Sequence, residues 1–242
     1  MVLLVMDVGN TRTKWALADE AGTLTELEVC MNADIATSNL SAIAQSADKV
    51  LIANVAGDAM AKQLTKLLAP LLPEFITASK QACGVVNSNY PTLGADRWAA
   101  LIAVRHRVKQ AVLVVNAGTA VTIDAMDSRG LFLGGTIMPG LRLMQATLAK
   151  NTAKLNVGEG IMQDFPKNTQ DAIQTGCLNA VAGAVGVMLK RLEKHSGWLP
   201  KLVMGGGDAT KIAEVLNLNT KQVIIMEYLV LQGIVLLEKE SR

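Results

Sequence analysis

MVLLVMDVGNTRTKWALADEAG, residues 1–22, opens with a short apolar run that stops at an acidic residue and a Gly-Asn-Thr turn. Val2 to Met6 is rich in Val and Leu and reads as a buried strand. Asp7 ends the run, Gly9, Asn10 and Thr11 are turn formers, and from Lys14 to Leu17 an apolar-rich stretch resumes. The pattern is strand, tight turn, strand. Such a turn can present backbone N–H groups to an anion and a carboxylate to a metal. A plainer hairpin, in which Asp7 and Thr11 only hydrogen-bond the turn backbone, uses the same residues.

The pattern occurs twice. AVLVVNAGTAVTIDAM, residues 111–126, is again an apolar strand, a polar residue, Gly, Thr and a second strand. Asp7 and Asn116 correspond, half a chain apart. Repetition at that spacing predicts duplicated halves. Strand-like runs (KVLIANV, KLVMGGG, QVIIM) alternate with stretches of helical period (AMAKQLTKLLAPLL, DRWAALIAVRHRVKQ, TQDAIQTGCLNAVAGAVGVMLKRLEKH, YLVLQGIVLLEK), which predicts an α/β fold. The boundary is expected near residues 108–112, giving halves 1–109 and 110–242. Two such halves facing each other would put both turns in one nucleotide cleft.

Composition narrows the function. The chain has 242 residues, half of them apolar, 18% charged and 3% aromatic. A core of Leu, Ile, Val, Ala and Met is therefore expected. A net charge of +2 gives no electrostatic case for nucleic acid or an anionic membrane, and neither is expected as a partner. The longest apolar runs, AALIAV and AVLVV, fall short of a membrane span, and the N-terminal stretch lacks the basic start of a secretory signal. Cys30, Cys83 and Cys177 are odd in number and scattered, which suggests free thiols and a cytoplasmic protein. No CxxC pair, Walker A pattern or GxGxxG fingerprint is present, and two histidines supply little for a zinc site or a triad.

Three further segments carry polar chemistry. GGG at 205–207 follows the strand KLVM and precedes a helix, so a ligand can approach its backbone; a tight strand-to-helix turn is the alternative. GGTIMPGLRLM, 134–144, reads as a glycine-rich turn entering a helix, structural or supporting a phosphate loop. LGADRWAA puts Gly94, Asp96 and Arg97 at a helix start, where Asp96 could cap the helix or take a proton from a substrate hydroxyl beside a guanidinium.

DVGNTRTK (7–14), LGADR (93–97), NAGTAVTID (116–124) and GGGDA (205–209), in this order and chain length, resemble type III pantothenate kinase. That family belongs to the superfamily of acetate and sugar kinases, chaperone ATPases and actin. The resemblance implies two similar ribonuclease H-like/actin-like ATPase halves and ATP-dependent phosphorylation of pantothenate at its primary hydroxyl, the first step of coenzyme A synthesis. Half 1–109 would carry the first phosphate and pantothenate motifs, and half 110–242 the second phosphate and adenosine motifs. Asp7, Val8, Gly9, Asn10, Thr11, Arg12, Thr13 and Lys14 would form the first phosphate motif, with Asp7 holding Mg2+ through water. Thr119 would contact ATP, and Gly205 and Gly206 would belong to the adenosine motif. Tyr90, Gly94, Ala95, Asp96 and Arg97 would bind pantothenate, with Asp96 as proton acceptor, and Thr175 would reach pantothenate across a homodimer interface. Asn116 stands where the family usually has an Asp that binds a monovalent cation, K+ or NH4+; a neutral amide weakens such a site. Another small-molecule kinase of the same superfamily, or a non-enzymatic nucleotide-dependent regulatory protein, would share the phosphate turns.

Overall fold

The N-terminal strand pairs antiparallel with the next, setting Asp7 opposite Lys14 and Val8 opposite Thr13. The structure, a computed structural model, describes residues 1–151, 158 and 160–241. In chain order its strands are β1 (Leu3–Val8), β2 (Arg12–Ala18), β3 (Leu24–Met31), β4 (Lys49–Asn54), β5 (Glu74–Phe75), β6 (Gln81–Ala82), β7 (Val85–Asn87), β8 (Val112–Ala117), β9 (Ala120–Met126), β10 (Leu131–Pro139), β11 (Lys201–Gly205) and β12 (Val223–Ile225). Its helices are α1 (Leu40–Ala44), α2 (Asp58–Leu67), α3 (Ala95–Arg107), α4 (Leu141–Asn151), α5 (Thr169–Ser196), α6 (Ala209–Leu216) and α7 (Leu229–Glu240), with a 3₁₀ turn at Asn32–Thr37.

The chain forms two units. The first comprises Met1–Arg107, Gly130–Phe132 and Tyr228–Arg242; the second comprises Val108–Arg129 and Leu133–Glu227. In the first, the sheet order is β3-β2-β1-β4-β5, with β4 parallel to β1 and β5 parallel to β4. Alternation along β1 sends Leu4, Met6 and Val8 to one face, where Trp15, Ile52, Leu40, Leu64 and Leu68 join them. Leu3 and Val5 go to the other face and meet Ala16, Leu51, Ala53, Ala95, Ala99, Leu231 and Ile234. With both faces covered, the strand is apolar throughout, not alternating.

Helix α7 packs in this first unit, although residues 228–242 fall after the expected boundary. It docks on α3 so closely that a Cβ on Gly233 would overlap the Ala99 carbonyl. Leu231, Ile234 and Val235 are buried there, and the apolar area removed from water fixes the assignment.

The second unit repeats the strand order as β10-β9-β8-β11-β12, with β11 parallel to β8 and β12 parallel to β11. Like β1, β8 has six residues and leads through a short turn into an antiparallel partner. The duplication read from the two turns is therefore present in strand order and direction. Leu113, Val115, Val121 and Ile123 form the core with Cys177, Leu178, Val181 and Val185 of α5 and Ile212 of α6. Helix α5 is long and apolar enough to cross a membrane by length and composition, yet a stripe of its side chains is buried in this core.

Several elements differ from the sequence reading, among them α1, β5, β6, β7 and the 3₁₀ turn, which carried no signal read from the sequence. The helix read through residue 72 stops at Leu67, before the cis Ala69–Pro70 bond. Residues 134–139, read as a turn, are extended within β10, and the following helix starts at Leu141. Strand β3, with only partly apolar residues at an exposed sheet edge, went unread.

Candidate active site

In the first unit the site starts at the C-terminal end of β1. Asp7 is on the same face as Leu3 and Val5, and its cross-strand neighbour Lys14 brings Nζ to 4.0 Å from Oδ2. The parallel neighbour is Ala53, a small side chain that leaves the carboxylate uncovered by bulk. Burial pushes the Asp7 carboxyl up from 3.8 to about 6; Lys14 acts against the rise, and the charge of Asp96 adds to it.

The turn after β1 is closed by Gly9 N–H donating to the Arg12 carbonyl at 3.1 Å. Asn32, which the sequence reading missed, holds this turn from the start of the 3₁₀ segment. Its Nδ2 donates to the Gly9 carbonyl (2.7 Å), its backbone N–H donates to the Thr11 carbonyl (2.9 Å), and its Oδ1 accepts from Thr13 Oγ1 (2.8 Å). Thr13 itself is fully buried, so its hydroxyl faces Asn32 and not solvent. Asn10 and Arg12 are exposed.

Asp96 sits in the first turn of α3, and its Oδ1 accepts the Arg97 amide at 2.8 Å. Gly94 precedes it, with its carbonyl taking the Trp98 N–H at 2.9 Å. A Cβ on Gly94 would lie 2.7 Å from Asp96 Oδ1, so the carboxylate folds back over a residue with no side chain. The Arg97 guanidinium lies 5.7 Å from the centre of the Phe132 ring. Tyr90 is exposed, next to a cis bond to Pro91, with Lys80 Nζ 5.7 Å from its ring centre. The first unit thus gathers Asp7, the 9–11 turn, Lys14, Gly94 and Asp96, with Arg97 on Phe132 and Tyr90 at the surface.

In the second unit the turn Gly118–Thr119 is exposed, and half-buried Asn116, one residue before the end of β8, lies opposite Thr122 and Gly205. Two glycine segments press on this turn. Gly140 donates its N–H to the Thr119 carbonyl at 2.9 Å, and a Cβ there would overlap the Gly118 carbonyl. Gly206, at φ +93, lies so close to the Ala117 carbonyl that no side chain fits. The Gly140 segment therefore supports the second turn. Buried Gly205 ends β11, and Gly206, Gly207 and Asp208 connect it to α6, with Gly207 exposed. Thr175 is buried in α5, away from this turn in sequence, and its Oγ1 accepts the Gln163 amide at 3.1 Å.

Among the described residues no group of three or more His, Cys, Asp or Glu could hold a metal. Asp7 with Asp96 nearby nevertheless fits Mg2+ of the kind that keeps its waters and is shared with phosphates, using one or two carboxylates. Burial is the main cause of the raised proton affinity of Asp7, and a cation held beside it would favour the charged carboxylate.

A family model described as type III pantothenate kinase matches residues 3–191. A type III pantothenate kinase from Nitrosospira multiformis is 38% identical over 99% of this chain and 92% of its own. One from Methylobacillus flagellatus is 38% identical over 98% of each. A solved structure of a conserved protein of the Baf transcriptional-activator family from Campylobacter jejuni superposes with a TM-score of 0.65 at 22% identity, covering 98% of each chain, which shows a shared fold.

Proposed function

The chain belongs to the type III pantothenate kinase family, and from that membership we infer its activity: it is a kinase that phosphorylates pantothenate with ATP in coenzyme A biosynthesis. The observation that carries this is the match along nearly the whole chain to relatives of that name. The fold is the two-sheet α/β fold of the actin-like ATPases and kinases.

The residue roles go further and are the reading proposed here. The primary hydroxyl oxygen of pantothenate attacks the γ-phosphorus of ATP, the bond from that phosphorus to the β–γ bridging oxygen breaks, and ADP leaves. Asp96 takes the hydroxyl proton, and its fixed position at the first turn of α3 supports this role. Asp7 to Lys14 receive phosphates, the turn by its amides and Lys14 by its charge. Thr119 and the 205–206 glycines contribute to binding ATP. Tyr90, Gly94, Ala95 and Arg97 bind pantothenate, Arg97 as an oriented donor held on Phe132. Asp7 would hold Mg2+ through water, and the ion would supply neutralisation of phosphate charge. Any K+ or NH4+ site at Asn116 is weak, because an amide oxygen replaces a carboxylate.

The enzyme works as a homodimer in the cytoplasm, with Thr175 reaching pantothenate of the partner subunit. An apolar cavity of about 690 Å3 between α4 and α5, lined by Met144, Leu148, Ile173 and Ala180, supports association through the second unit. The three free cysteines suit a reducing compartment.

A coupled ADP-release assay tests the function. With ATP and Mg2+, ADP release is expected only when pantothenate is added. Asp96→Asn should lower kcat by about 10²–10⁴-fold while ATP still binds. Turnover that ignores pantothenate would remove the substrate assignment, and near-normal turnover of Asp96→Asn would remove the base.

A further inference from the structure

Asn32 is bound to three residues of the first phosphate turn, and nothing in the motifs points to it. The pairing of Arg12 with Met31 carries β3 past the turn and leaves Asn32 beside Thr11. From there it takes up two turn carbonyls: its side-chain N–H donates to Gly9 and its backbone N–H to Thr11. The same side chain satisfies the buried Thr13 hydroxyl, which orients the amide so that oxygen faces Thr13 and nitrogen faces Gly9.

The consequence is electrostatic. Carbonyl oxygens aimed at a polyphosphate would repel it, whereas amides attract it. Gly9 N–H is already spent on the Arg12 carbonyl, while the amides of Asn10 and Thr11 donate to no other described residue. With the Gly9 and Thr11 carbonyls tied back, those two amides are the groups the turn offers an anion. We propose that Asn32 is a positioning residue for ATP, holding the 9–11 turn in the conformation that presents its amides to the phosphates. This rests on the reading that the turn receives ATP phosphates. Asn32 touches no reacting atom; it acts through the turn.

The test uses the full chain with Asn32→Ala, Thr13→Val and Thr13→Ser, and reads KM for ATP, KM for pantothenate, kcat and melting temperature. Asn32→Ala is expected to raise KM for ATP about ten- to a hundredfold and to lower kcat, with KM for pantothenate within about twofold of wild type. Thr13→Val, which frees the Asn32 amide without changing shape, should move KM for ATP the same way by less. Thr13→Ser keeps the hydroxyl and should raise KM for ATP less than Thr13→Val does. A variant that melts earlier yet keeps wild-type KM for ATP and kcat in its folded fraction would make Asn32 merely structural and overturn the proposal. If Asn32→Ala does not fold, Thr13→Val decides alone, and an unchanged KM for ATP overturns it. Asp7→Asn, run beside them, separates the two layers. Impaired Asp7→Asn with unaffected Asn32→Ala and Thr13→Val removes only the role of Asn32. Unimpaired Asp7→Asn removes the phosphate assignment of the turn, and the proposal with it.

Discussion

Gly94 has no side chain at the point where the Asp96 carboxylate folds back, and that single fact ties a glycine to the position of the proposed base. A methyl group there would meet Asp96 Oδ1 at 2.7 Å and Val55 Cγ1 at 3.9 Å. The carboxylate is the flexible end of a side chain, so it can move aside at little cost in stability. Gly94→Ala is therefore expected to lower kcat about tenfold or more with a melting temperature close to wild type. A large fall in melting temperature with kcat preserved would contradict this. Asp7 gives a second prediction, from charge. Its native-state proton affinity is raised from 3.8 to about 6, by burial first, with Lys14 opposing and Asp96 adding. The native state thus binds the proton more tightly than the unfolded chain. Its favourable contribution is complete below pH 3.8 and is lost as pH rises through about 6. In metal-free protein, wild-type stability relative to Asp7→Asn should fall across that window, by an amount on the order of 3 kcal/mol. Denaturant unfolding of both proteins at several pH values reads the difference; a difference independent of pH would contradict the burial argument.

At the scale of elements, glycines decide what can dock. Helix α7 closes on α3 through Gly233, whose missing Cβ makes room for the Ala99 carbonyl. Backbone cannot yield as a side-chain tip can, so Gly233→Ala should destabilise by about 1–3 kcal/mol or more. The overlap is with the Ala99 backbone, one turn after Ala95 to Arg97 in α3, so the loss is read in thermal stability; unchanged thermal stability would show that α7 is not docked this way. The elements also show where local pattern is a poor guide. The stretch 59–72 has helical period, but Pro70 lacks an N–H, and the helix ends at Leu67. Strand β3 has exposed, partly charged residues because it is an edge strand with one neighbour, so no apolar alternation marks it. The β1 and β8 strands, covered on both faces, were readable for the opposite reason.

At the scale of the whole molecule, two copies of one strand order differ at equivalent places: Asp7 is the next-to-last residue of β1 and Asn116 the next-to-last of β8. If Asn116 stands in for a cation-binding carboxylate, wild-type turnover should respond little to K+, and Asn116→Asp should gain K+ activation; equal responses in the two proteins would count against the weakened cation site. The duplicated strand–turn–strand units, the α/β class, Asp7 with its turn, Asp96 at a helix start and the glycine segment between β11 and α6 were legible in the sequence, whereas the 134–139 stretch was not, because glycines there sit in an extended strand. Each legible feature is written in a few consecutive residues, as a period of two or three to four, a charge ending an apolar run, or glycine at a turn. Only the tertiary structure assigned α7 to the first unit, laid Gly140 and Gly206 on the second turn, folded Asp96 over Gly94 and brought Asn32 to the first turn. Those depend on strand register and on close approach between residues far apart in the chain. Register and docking follow from the summed burial of whole faces, a quantity that no short stretch of sequence contains.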